Sequence, residues 1–355
     1  MKNLYKSLYH ALEKQKSLAL ATVVDAEGST PQIPGVSALF SNEGLIEGTL
    51  GGGVLEGAAE EKAREAQKEG TNHLFEFDFQ DDFSSSSSAV CGGKLKILIQ
   101  GNPLDHKEVF AQLNQSLVRH NSGVLAALIK KTNQKNFSLA RFWIENRDSG
   151  IELPSCLNRF EKDIWGVLEK RKPRFFQIKN QKSFSGRRES YLFLEPVVPP
   201  LQLVVVGAGH VGKAVSHLGH FLNFEVTVID DRPEFVNKER IPEADHLIVD
   251  NIEEAVRRYP VTEETCIVIV TRGHSYDAQA LKECIHSQAG YIGMMGSQRK
   301  VQLMKQRFIE KGWATKEQFE RIQAPVGIPI QSQTVEEIAV SIAAQLIQIR
   351  NKKRG

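Results

Sequence analysis

The segment Gly207-Ala208-Gly209-His210-Val211-Gly212 restricts what this chain can fold into more than any other stretch of it. G-x-G-x-x-G alone is a weak signal, because glycine-rich turns are common. Here the β-branched run at residues 201–206 leads into it, a helical stretch follows, and a second apolar run ends at Asp230, 23 residues beyond Gly207. That spacing is the fingerprint of a dinucleotide-binding βαβ unit. Gly207 allows the tight turn, Gly209 lets backbone approach a pyrophosphate, and Gly212 admits close helix–strand contact. The helix N-terminus then faces the anion, and Asp230 is placed to hydrogen-bond a ribose hydroxyl. Asp231 and Arg232 keep both NAD and NADP open, with NAD favoured by the acid and NADP by the arginine. A Rossmann-like fold that has lost its nucleotide is the alternative.

The rest of the C-terminal half follows the same rhythm. Short apolar runs at 203–206, 225–229, 246–249, 266–270 and 291–294 alternate with helical stretches, which predicts a doubly wound parallel sheet. The last helix carries a capping box, Thr334 with Glu337, and an apolar stripe of Val335, Ile338, Ile342, Leu346 and Ile349. His210 follows the first strand of this sheet and His274 the fourth. Loops from those strands flank the switch point, so both histidines and Asp277 are candidates to meet on one ligand. The plainer alternative has His210 facing solvent and His274 capping a helix. Arg272, Ser297, Arg299 and Lys300 add phosphate donors.

Residues 194–200 hold Pro196, Pro199 and Pro200, too many prolines for a helix or a central strand. They read as an extended connector between a domain over residues 1–196 and one over 201–355, and 355 residues suit two domains. The first domain mixes a helix bearing Leu4, Leu8 and Leu12 with short strands at 18–24, 36–40 and 45–50, the last two joined by a hairpin loop at 41–44. A helix over 55–68, an alternating strand with Phe75, Phe77 and Phe79, and strands at 94–100, 124–129 and 138–144 complete an α+β pattern.

Three motifs of that domain carry chemical potential. Residues 28–35 form a loop with two prolines and bracketing glycines. Gly51-Gly52-Gly53 lies between a strand and a helix, able to offer backbone amides to an anion but without the G-K-[ST] ending of a P-loop. Cys91-Gly92-Gly93 follows a serine run at 84–88, and Lys94 and Lys96 favour a thiolate at Cys91. The alternative for each glycine motif is a tight turn, and for Cys91 a small apolar residue.

Composition removes several classes. Lys and Arg number 45 against 43 Asp and Glu, leaving no single-sign field for a nucleic-acid partner. No apolar run reaches the roughly 18 residues of a membrane span, and the amphipathic N-terminus does not read as a signal peptide. Four cysteines without a CxxC pair argue against a disulfide framework or structural zinc, and fit a cytoplasmic protein.

Taken together, residues 28–35, 48–53 and 91–93 resemble the first domain of the XdhC/CoxI family. Residues 207–212, 271–274, 291–297, 324–327 and 336–342 resemble its Rossmann domain and closing segment. The resemblance implies an accessory protein for xanthine dehydrogenase and related molybdenum hydroxylases. Such a protein binds molybdenum cofactor, supports its sulfuration and delivers it to the apo-enzyme. It also implies a homodimer, an exchange with a cysteine desulfurase, and a chaperone rather than a turnover enzyme. Cys91, to which the resemblance gives contact with the cofactor or its sulfur, His210 and His274 are the candidate chemical residues; Gly51, Gly52, Gly53, Gly207, Gly209, Gly212, Asp230 and Arg272 are the candidate cofactor contacts. The family often has cysteine after its triple glycine, where this chain has Val54. An NAD(P)-dependent oxidoreductase working in the C-terminal crevice is the competing reading, although no dehydrogenase-type catalytic group is evident.

Overall fold

The computed structural model describes residues 4–79, 92–133, 135–146, 153–178 and 189–352. The chain divides into two compact units, Met1–Pro199 and Pro200–Gly355. In the first unit, helix α1 (Leu4–Glu13) buries Leu4, Tyr5, Leu8 and Leu12 along one stripe. Strands β1 (Ala19–Gly28), β2 (Ser37–Ser41) and β3 (Gly44–Gly48), helix α2 (Gly53–Glu69), and strands β4 (Asn72–Asp78) and β5 (Gly93–Gln100) follow. The five strands form an antiparallel sheet in the order β3-β2-β1-β5-β4. Next come α3 (Lys107–Val118), β6 (Gly123–Lys131), β7 (Phe137–Glu145), α4 (Glu161–Lys170), β8 (Arg174–Gln177) and β9 (Ser190–Val197). Their strands make a second antiparallel sheet, β7-β6-β9-β8.

The pleat sorts side chains between layers. Ala19, Ala21 and Val23 of β1 pack with Ala59, Ala63 and Ala66 of α2. On the other face Leu20 meets Leu125 and Trp143, and Val24 meets Ala127, Ile129 and Phe193 of the second sheet. Val124 and Ala126 of β6 face outward to Ile164 and Val167 of α4. The first unit is therefore layered helix, sheet, sheet, helix. Two helices and two strands go beyond the sequence pattern: α3, α4, β8 and β9. Residues 194–197, read as connector, belong to β9, where Pro196 opposes Val124. Pairing of β8 stops at Leu194, so Pro196 lies where β9 has a neighbour on one side only, as a residue without an N–H donor requires.

The second unit runs β10 (Gln202–Val206), α5 (His210–Phe221), β11 (Glu225–Asp230), β12 (His246–Val249), α6 (Ile252–Arg258), β13 (Thr265–Ile269), α7 (His274–Cys284), β14 (Tyr291–Met294), α8 (Gln298–Glu310), α9 (Lys316–Glu320) and α10 (Val335–Lys352). Its sheet is parallel throughout, ordered β12-β11-β10-β13-β14. Val204, Val206, Ile267 and Ile269 face one helical layer, Leu203, Val205, Cys266 and Val268 the other. This is the doubly wound α/β architecture that the spacing predicts. Thr334 and Glu337 exchange both hydrogen bonds of the capping box. Among the described residues no helix is long and apolar enough to cross a membrane.

Candidate functional site

In the second unit the chain winds outward from β10 through β11 to β12, then returns to place β13 on the other side of β10. The crevice beyond the C-terminal ends of β10 and β13 is the switch point where such sheets take ligands. Gly207 turns the chain there with φ 113°, and a Cβ on it would stand 2.5 Å from the Val270 carbonyl oxygen. Only glycine fits. A Cβ on Gly212 would fall 1.8 Å from the Gly207 oxygen, which is how close α5 approaches the loop. Gly209, the N-cap of α5, is different: a Cβ there meets nothing within 4 Å. The backbone is bare where a ligand would approach.

Both helices opening on this crevice begin with the pair Gly-His. Gly209 caps α5 and Gly273 caps α7, neither with a side-chain hydrogen bond. By contrast Asn251, Ser297 and Thr315 cap α6, α8 and α9 with their side chains. The first N–H groups of α5 and α7 are thus left to an outside acceptor. His210 and His274 are the first residues of those helices, both exposed.

Asp230 sits at the predicted strand end, yet it faces inward. It is 2% exposed. One carboxylate oxygen accepts from the Ala208 N–H at 2.8 Å and from the Arg232 guanidinium at 2.9 Å; the other accepts from Arg232 Nε, also at 2.8 Å. Burial raises its pKa, but Arg232 and the Ala208 N–H outweigh that and hold the carboxyl at about 2. The acid expected on a ribose therefore fastens the glycine loop. Arg272 is exposed, bonds Asp231 at 2.7 Å, and lies over the Tyr276 ring.

Asp277 does not join the histidines. It lies one helical turn inside α7, buried, accepting from the Thr271 hydroxyl at 2.6 Å and from Lys300 Nζ at 2.5 Å. Lys300 also donates to the Met295 carbonyl. Lys300 and Ser297, expected as phosphate donors, instead fasten α8 to α7 and cap α8. Among the described residues no group of three or more His, Cys, Asp or Glu side chains is arranged to hold a metal.

In the first unit the three separate glycine motifs come together. A Cβ on Gly51 would lie 3.1 Å from Pro31 Cγ, and one on Gly93 would lie 2.6 Å from the Ser29 oxygen. A Cβ on Gly28 would meet the Gly92 oxygen at 2.9 Å. Gly51, Gly52 and Gly53 all have positive φ (118°, 74° and 58°), a run that no other residue type sustains. Val54 and Ile33 stand exposed beside it. One oxygen of Glu56, in the first turn of α2, is buried without a hydrogen-bond partner. Cys91 lies outside the described residues. Of the other cysteines Cys156 is exposed, while Cys266 and Cys284 are buried, and burial pushes the Cys284 thiol up to about 12.

One buried group escaped the sequence reading. Glu195 of β9 accepts from the Tyr5 hydroxyl at 2.6 Å, and Arg141 in the same core donates to Gln100 at 2.7 Å. Burial pushes the Glu195 carboxyl up to about 7 against the pull of Tyr5 and Arg141. Its partners lie far away in sequence, and beside Pro196 it looked like linker.

Two family patterns match the chain: that of the XdhC and CoxI family over residues 11–78, and that of the XdhC Rossmann domain over residues 203–346. A Bacillus subtilis (strain 168) protein described as a probable subunit of xanthine dehydrogenase is 25% identical over 354 residues, 99% of each chain. The uncharacterized protein YqeB of Escherichia coli (strain K12) is 30% identical over 198 residues, 53% of this chain and 36% of that one. The crystal structure of a xanthine dehydrogenase from Bacillus halodurans has a TM-score of 0.76 at 22% identity, covering 98% of this chain and 96% of its own; this likeness is one of fold.

Proposed function

The chain belongs to the XdhC and CoxI family, and from that premise we propose that it matures a molybdenum hydroxylase of the xanthine dehydrogenase type. In this reading it is a cytoplasmic homodimeric chaperone that holds molybdenum cofactor, supports its sulfuration with a cysteine desulfurase as sulfur source, and hands it to the apo-enzyme. The observation that carries the reading is the meeting of the 28–35, 48–53 and 92–93 motifs at one place in the first unit. The residues present fit an anionic cofactor. Gly51, Gly52 and Gly53 bare the backbone to the phosphate, a Cβ at Gly53 would meet nothing within 4 Å, and the unpartnered Glu56 oxygen is an acceptor for a pterin N–H rather than for the anion. Bound molybdenum cofactor supplies the metal and dithiolene sulfurs that the hydroxylase needs. Of this chain's residues, the glycine backbone binds and orients, and Cys91 is the candidate soft ligand.

The second unit binds a dinucleotide in this proposal, NAD or NADP, with its pyrophosphate on the N-termini of α5 and α7. The open position at Gly209 supports that placement. The same opening favours a second reading, an NAD(P)-dependent oxidoreductase acting in the crevice alone. That reading leaves the glycine cluster of the first unit without a task.

The test is activation of the partner hydroxylase in cells lacking this chain. Complementation by the wild-type gene should restore activity and the sulfurated cofactor, and Cys91→Ser should restore folded protein but little activity. Full hydroxylase activity without any copy of the chain would remove the maturation role. Full activity with Cys91→Ser would remove Cys91 from it.

A further inference from the structure

At the C-terminal edge of the second unit's sheet the ends of β11, β10 and β13 stand side by side, and an ion pair joins the outer two across the middle one. The Gly207 N–H donates to the Ile229 oxygen at 2.8 Å, and a Cβ on Gly207 would lie 2.9 Å from Thr271 Cα. The glycine loop is therefore wedged between the segments that carry Asp231 and Arg272. Those two side chains meet at 2.7 Å, Arg272 Nη2 donating to Asp231 Oδ2. In a dinucleotide site of this kind the phosphates lie on the loop beneath such a pair, and the adenosine ribose lies at the end of β11.

Of the two acid–arginine pairs at this strand end, one is already committed. Arg232 grips both oxygens of Asp230, and its guanidinium carbon lies 3.9 Å from the centre of the Phe235 ring. Neither Asp230 nor Arg232 can turn to a ligand without loosening the loop. Arg272, by contrast, is a partly exposed arm steadied by Tyr276, whose ring centre is 4.3 Å from its guanidinium carbon and whose hydroxyl accepts from it at 2.5 Å. Asp231 keeps one oxygen, Oδ1, that is shielded from water and accepts no hydrogen bond, with Arg232 Nε standing off at 3.9 Å. A ribose 2′-hydroxyl supplies the missing donor and leaves Arg272 in place. An ionised 2′-phosphate has no such donor and meets the carboxylate as a like charge. To bind, it must draw Arg272 away and leave Asp231 without its counter-ion.

We propose, resting on the dinucleotide reading of this crevice, that Asp231 held by Arg272 is the residue that selects NAD over NADP, in place of the expected Asp230. Titration calorimetry on the full chain should find NAD bound at least about tenfold more tightly than NADP, because the like charge at the 2′ position is refused. Asp231→Asn keeps the shape and removes the charge. It should strengthen NADP about tenfold by releasing Arg272 to the 2′-phosphate, and weaken NAD a few-fold. Thermal melting should stay nearly unchanged, since the pair is partly exposed. Adding Arg272→Gln to Asp231→Asn should abolish the gain for NADP. Wild-type protein that binds NADP as tightly as NAD, an unchanged ratio in Asp231→Asn, or a gain that survives Arg272→Gln would each overturn the assignment while dinucleotide binding itself stands. Failure of both NAD and NADP to bind at ~1 mM would instead remove the dinucleotide reading, and the selectivity with it.

Discussion

Gly209 and Gly212 stand three residues apart, and an added methyl group would meet open space at one and a backbone oxygen at 1.8 Å at the other. Gly209→Ala meets no clash and should cost no more than about 1 kcal/mol, the difference between glycine and the poorer N-cap alanine, yet weaken dinucleotide affinity. Gly212→Ala must displace backbone and should destabilise the second unit by about 2–3 kcal/mol; a calorimetric scan separates the two. Glu195 gives a prediction of another kind. The folded chain binds its proton more tightly than the unfolded chain, so its contribution is full below the ordinary 4.5 and is lost as pH rises to about 7. Holding the ionised form in the core should cost ~3 kcal/mol above that range. Glu195→Gln keeps an acceptor for Tyr5 and should raise the melting temperature at pH 8 while leaving it nearly unchanged at pH 4.5. A variant with the wild-type pH slope would show that Glu195 does not set it.

Among the elements, α7 and α8 depend on one ion pair. Asp277 is 1% exposed and Lys300 is its cation, while Thr271 fills the other carboxylate oxygen. Asp277→Asn should cost about 3 kcal/mol, because it leaves an ammonium in a largely buried place without its counter-charge. Adding Lys300→Met should recover part of that loss, and a double-mutant cycle by urea unfolding measures how much; simple additivity would mean that the two do not interact. The same pair explains a limit of sequence reading. Asp277 follows His274 by three residues and looks like its partner, but the helix turns it inward, toward a lysine 23 positions later. What was legible was local: the β-branched runs of β10, β11 and β13, the glycine roles, and the Thr334–Glu337 box. β8 is only four residues long, with partly exposed side chains, and is a strand because β9 lies beside it. No periodicity within Arg174–Gln177 reveals that. At the candidate sites the glycine positions were legible, but the inward turn of Asp230 was not, because it depends on Arg232 folding back over it.

For the whole molecule, each unit closes its own cores, with the junction at Pro199 and Pro200. Residues 200–355 expressed alone should be soluble and unfold in one cooperative transition, checked by circular dichroism and calorimetry together. A molten or insoluble fragment would mean that the second unit needs the first. If the fragment folds, dinucleotide binding should travel with it and hydroxylase activation should not. The tie between Asp230 and Ala208 also changes how such binding data must be interpreted. In many dinucleotide sites an acid at this strand end sorts ligands by their sugar, and removing it alters preference. Here the carboxylate braces the very loop that carries Gly207 and Gly209. Removing it would loosen the grip on every phosphate-bearing ligand alike, inorganic pyrophosphate included, so an apparent loss of selectivity at Asp230 would really be a loss of stiffness.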